Sequence, residues 1–225
     1  VLILFHLFTG LVAGLLLYKL TRERWAFWAC ALGSVLPDLM DKPLGHILLR
    51  STLDNGRLWA HTLLFLGIVA LAGALLLKKR GSWAIVALAA GIMLHQLGDT
   101  MYLDPTGWFW PLFGPFRPES FPDYFGDSLA KELGSAYEWV FGLTSLAILL
   151  GFLSKGEWKV WRILTDRSVG LMPITIGLFV FGLFEVVLGL ANSATLDFGA
   201  VGAMYISAIA AVTGGLALEL ANEEK

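Results

Sequence analysis

The chain has 225 residues, 57% of them hydrophobic and 15% charged, with a mean hydropathy of +0.72. That composition excludes an ordinary soluble domain and reads as all-α, a polytopic transmembrane helical bundle. A formal net charge of −2 gives no reason to expect nucleic acid as a partner, and the lone cysteine, Cys30, excludes an internal disulfide and a cysteine metal cage.

A helix needs about 20 apolar residues to cross the hydrocarbon of a bilayer. Seven segments meet or approach that requirement, roughly 1–20, 25–40, 58–77, 82–103, 136–154, 170–192 and 199–221. The first carries no basic leader and no small-residue cleavage site, so it is expected to be a span and not a signal peptide. The second is the weakest, because its apolar part, Trp25 to Leu36, ends at Pro37-Asp38. It is expected to stop below the far surface and to continue irregularly, buried in protein or facing a watery cavity. Between the fourth and fifth segments, residues 104–135 hold five of the eight prolines. A connection that long suits a lid. Trp108, Phe109, Trp110, Phe113, Phe116, Phe121, Tyr124 and Phe125 suit an interfacial belt. The chain therefore divides into a four-span half (1–103), an outer aromatic and Pro-rich loop (104–135) and a three-span half (136–225). In the last of these, Glu138, Glu185 and Asn192 are the few polar side chains within the spans.

Lysine and arginine set the orientation. One side gathers Lys19, Arg22, Arg24, Lys78, Lys79, Arg80, Lys155, Lys159, Arg162, Arg167 and Lys225, which is 11 of the 16 basic residues. The other holds Lys42, Arg50, Arg57, Arg117 and Lys131. The bias puts the N-terminus outside and the C-terminus inside a cell membrane crossed several times. His6, Asp38, Asp41, His61, His95 and Asp99 then all fall in the outer leaflet.

Histidine and aspartate within lipid-soluble segments are expensive and mark functional sites by default. His95 and Asp99, four residues apart, share a helical face. They would reach one ion, or Asp99 would orient the imidazole, or both would face headgroup water. Asp38 and Asp41 lie between Pro37 and Pro43, as ligands or as a solvated cap. Arg57, four residues before His61, is a fork for phosphate or carboxylate, or a snorkelling interfacial side chain. His6 alone would read as a core histidine, and His46 as a surface one. Taken together, nitrogen and oxygen donors without sulfur suit Zn²⁺, with Mn²⁺, Fe²⁺ or Co²⁺ as alternatives. The set suits one ion with a supporting shell, or two ions that clamp a phosphoryl group. Lys42, Arg50 and Arg57 would hold the phosphate.

The pattern resembles the membrane-bound metal-dependent hydrolases, the LexA-binding, inner-membrane-associated family, in an archaeal-type variant. The resemblance covers about residues 1–115. It is carried by His6, by Pro37-Asp38-Leu39-Met40-Asp41, by Gly56-Arg57-Leu58-Trp59-Ala60-His61, by His95-Gln96-Leu97-Gly98-Asp99 and by Trp110-Pro111-Leu112. It implies a metal held by His6, Asp38, Asp41, His61, His95 and Asp99, with Trp110 beside the substrate. Two departures stand out. The second carboxylate follows the first by three residues instead of two, and Lys42 stands where many members place a histidine.

The expected function is hydrolysis of a lipid or lipid-linked substrate, with a phosphoester favoured, by metal-activated water. Asp38 or Asp41 would act as base and Arg57 would neutralise developing charge. The alternatives are a transporter or metal carrier, to which Glu185 would belong, and a metal-stabilised membrane scaffold.

Overall fold

In the computed structural model, residues 3–154 are described. The sixth and seventh predicted spans, with Glu185 and Asn192, lie outside them. The chain forms two compact units, Val1–Trp139 and Val140–Lys225, and every residue of the candidate site lies in the first.

Among the described residues each regular element is a helix. Helix α1 (Ile3–Thr21) is long and apolar enough to cross a bilayer. The expected second span is two pieces, α2 (Arg24–Gly33) and α3 (Leu36–Pro43). The break falls at Ser34-Val35, just before Pro37, which has no N–H to continue the bonding of α2 and occupies the first turn of α3, where the missing N–H costs nothing. A π-helical turn, Leu44–Leu48, follows. After a 3₁₀ turn, Trp59–His61, helix α4 runs from Leu63 to Arg80. The Thr62 hydroxyl accepts the Phe65 amide at its start. Lys78, Lys79, Arg80 and left-handed Gly81 close it, as a helix C-terminus favours.

Helix α5 (Ala84–Gly98) is 15 residues long, shorter than the span expected over 82–103. It stops because Thr100 takes a left-handed conformation, after which a 3₁₀ turn, Met101–Leu103, changes direction. The segment read as a loop also contains helices. They are α6 (Pro105–Trp108) and α7 (Tyr124–Gly134), started by the side chains of Asp104 and Asp123, which accept the amides of Gly107 and Gly126. Helix α8 covers Ala136–Ser154, the range of the fifth predicted span. Among the described residues, a second element reaches spanning length and hydropathy only if α7 and Tyr137–Leu153 are taken together as a bent pair.

Helices α1, α2 and α5 pack against one another through glycines. A Cβ at Gly91 would stand 2.2 Å from the Cys30 carbonyl oxygen, and one at Gly33 2.2 Å from that of Leu88. At Gly10 it would meet the Ser34 hydroxyl at 2.0 Å, and at Gly14 the Phe27 carbonyl at 2.8 Å. Small residues let helix backbones touch, which is how helices associate where lipid removes the hydrophobic drive between them. Ala26, Cys30 and Ala87 fill the same seam.

Gly91→Ala presses a methyl group against backbone that cannot swing away. The expected cost is about 1–3 kcal/mol or more. Thermal unfolding in detergent should show it as a clear fall in midpoint, whereas Gly67→Ala, where a new Cβ meets nothing within 4 Å, should leave the midpoint unlowered or slightly raised.

Candidate metal centre

Two imidazoles form the centre. His61 ends the 3₁₀ turn before α4, and His95 lies in the last turn of α5. His95 Nδ1 lies 2.8 Å from the Ser34 carbonyl oxygen, and His61 Nδ1 2.8 Å from Asp41 Oδ2. A carbonyl or carboxylate only accepts, so both Nδ1 atoms carry the hydrogen. In the neutral rings both Nε2 atoms then present lone pairs, yet they stand 3.1 Å apart. Two lone pairs have no attraction for each other, and a shared cation removes the conflict. The tautomer arrangement, with Nδ1–H held by oxygen and Nε2 free, is the one that metal-ligating histidines adopt.

Asp38 and Asp99 complete the set. Asp38 Oδ1 is buried without a hydrogen-bond partner and lies 3.6 Å from the Nε2 of both histidines. Asp99 Oδ2 lies 3.8 Å from His61 Nε2. Donor atoms of the four residues all fall within 4.8 Å of one another. Four donors about 2.1 Å from a central ion are separated by about 3.4 Å in a tetrahedron. Asp38, His61, His95 and Asp99 are thus a buried group able to hold a metal ion.

The other two predicted ligands stand beside this group. His6 Nε2 donates to Asp99 Oδ1 at 2.9 Å, and its ring stacks on His95 with centroids 4.0 Å apart. Asp41 accepts the amides of Leu58, Ala60 and His61 as well as His61 Nδ1, so it holds the turn on which His61 sits. Gln96, which the sequence reading passed over, reinforces that turn. Its amide donates to the carbonyls of Ala60 and Thr62 and accepts from Trp108 Nε1. An uncharged amide beside His95 in an otherwise apolar helix was the available signal.

A cavity of about 500 Å³ borders the cluster. Asp38, Asp99, Lys42 and Arg57 all line it. Lys42 pairs with Asp38 Oδ2, and Arg57 Nε lies 3.4 Å from Asp99 Oδ2 with its side chain 45% exposed. Arg50 and Trp110 are not among the lining residues. Arg50 donates to the Pro122 carbonyl, and Trp110 stacks on Phe116.

His46, expected at the surface, is buried in the cavity wall, a correction with a clear cause. Its Nδ1 meets Asp54 Oδ1 at 2.9 Å, and its ring stacks on Tyr124 at 3.5 Å between centroids. Asp54 also accepts the Phe121 amide. These contacts fold the aromatic segment back over the π-helical turn. The His46 N–H and the Phe121 amide hold Asp54 below the usual carboxylate range.

Residues 2–215 match the family described as YdjM inner membrane protein. That description puts the family in an inner membrane and gives no reaction. No curated protein matches the chain, and no solved structure does.

Detergent-purified protein, kept from chelators, should carry metal by elemental mass spectrometry, and the His61→Ala, His95→Ala double variant should carry none. Asp41→Asn should keep the fold and bind metal about 10- to 100-fold more weakly, the usual effect of losing a partner that orients a ligand. Equal metal content in wild type and double variant would rule the centre out.

Proposed function

The chain belongs to the YdjM inner membrane protein family, and on that premise we propose that it is a metal-dependent hydrolase acting on a lipid or lipid-linked phosphoester. The observation that carries the reading is that one cavity is bordered by metal-capable carboxylates and by two cations, Lys42 and Arg57. A purely structural ion needs no such opening. A bound divalent ion, with zinc favoured and manganese or iron as alternatives, would supply a Lewis acid and lower the pKa of its water. One ion is the reading that the four donors support, with two as the alternative.

The chain's own residues do the rest. Arg57 is a planar donor fork, always charged, and suits a phosphate with two free oxygens. Lys42 adds a second positive charge and neutralises the outer oxygen of Asp38. Asp99 holds the position between His6 and Arg57, so a substrate oxygen that draws Arg57 forward leaves Asp99 still anchored by His6. Asp41 has its oxygens committed to the 58–61 turn, so its role here is orientation. The phosphoester assignment rests on these cations. The lipid assignment rests on the family's membrane setting.

The sidedness belongs to the proposal as well. Seven spans, with the N-terminus outside, would put the cavity at the outer leaflet, on the strength of the charge bias.

The test is a panel of lipid phosphoesters in mixed vesicles, run with wild type, Asp38→Ala and His61→Ala, and with far-UV circular dichroism on each. We expect turnover by wild type that a chelator abolishes and that both variants lose while folded. Full activity in both variants would sink the proposal.

A further inference from the structure

Helix α7 lies in a segment read as loop, and it is built in rows. Tyr124, Ser128 and Glu132 recur at four-residue spacing, are half-buried and line the cavity. Phe125, Leu129 and Leu133 form the neighbouring row and are 47%, 59% and 55% exposed. Asp127 and Lys131 lie on the far side, also exposed. Three large apolar side chains in line on a helix with no buried residue need an apolar neighbour. An amphipathic helix lying in the plane of a membrane interface has this pattern.

Two contacts fix where α7 sits. Glu132 accepts the amides of Ile3 and Leu4. Those amides lie in the first described turn of α1, the helix long and apolar enough to cross a bilayer, so Glu132 ties α7 to that helix. The exposed row is also continuous with the cavity, because Phe125 and Leu129 line it together with Ile3.

We propose that the Phe125, Leu129 and Leu133 row of α7 lies against the acyl chains of the bilayer and guides a lipid chain sideways to the cavity bordered by Asp38, Asp99, Lys42 and Arg57. The route rests on reading that cavity as the substrate site. Contact with the bilayer rests on the helix alone. The headgroup would reach the cations while the chain stays in the membrane, so the lipid never crosses water.

The test reads no turnover. Leu129→Cys, Leu133→Cys, Asp127→Cys and Lys131→Cys are each labelled with a nitroxide, in vesicles of phosphatidylethanolamine and phosphatidylglycerol. Cys30 is fully buried, so unmutated protein is the labelling blank. By power saturation, positions 129 and 133 should collide several-fold more with oxygen than with a water-soluble nickel chelate, and 127 and 131 should show the reverse. Water-like values at 129 and 133, or labels immobilised as under a second chain, overturn the proposal. In the same vesicles, a phospholipid with a diazirine in its acyl chain should crosslink to Leu129 or Phe125 and to Ile3. Crosslinks confined to other surfaces overturn the route. A protein that passes both arms and hydrolyses nothing retains this inference and loses the hydrolase reading.

Discussion

The contact between α2 and α5 at Gly33 and Gly91 is the constraint on which the site depends. Backbone meets backbone there, with no side chain to act as spacer, and a Cβ at either glycine would strike a carbonyl oxygen of the other helix. One turn beyond Gly91 comes His95, and directly after Gly33 comes Ser34, whose carbonyl takes the imidazole hydrogen. A wider separation would leave that carbonyl out of reach and free the ring to choose the other tautomer. The packing of small residues thereby decides which nitrogen of His95 faces the cluster.

The same logic recurs at each donor. His61 is aimed by Asp41, and Asp41 is fixed by three amides of the turn it organises. Asp99 is steadied by His6, and Asp38 by Lys42. Each donor therefore arrives with its orientation already imposed by a partner, and ordering it at the moment of binding costs little. The unpartnered Asp38 Oδ1 and the facing Nε2 pair mark where the network was left open.

Much of this was legible in the residues. Ionisable groups in lipid-soluble segments are so costly that their presence singles out positions. The helical repeat placed His95 and Asp99 together, and Pro37 marked the break in the second segment. Distribution of roles was not legible. Nothing in the spacing of Asp38 and Asp41 tells which carboxylate faces an ion and which faces backbone amides, since α3 directs them to different neighbours. His46 was misjudged because its burial comes from Asp54 and from Tyr124, 78 positions away, pairings that no local pattern announces. Helix α7 was hidden among prolines and aromatics. Its capping residue, Asp123, follows Pro122 directly, and the apolar row is only three residues long.

The grip of Asp41 on residues 58–61 has a thermodynamic side. The carboxylate that folds the turn is the one that aims His61, so ordering the turn and readying the imidazole are a single event. Linkage then makes them reciprocal: whatever loosens the turn weakens an ion bound at His61, and an ion bound there must tighten the turn by the same free energy. Each tenfold in affinity lost through position 41 returns as about 1.4 kcal/mol of local order that the bound ion no longer supplies. Amide exchange along Leu58, Ala60 and His61 is therefore a gauge of occupancy, read from the backbone and not from the ion.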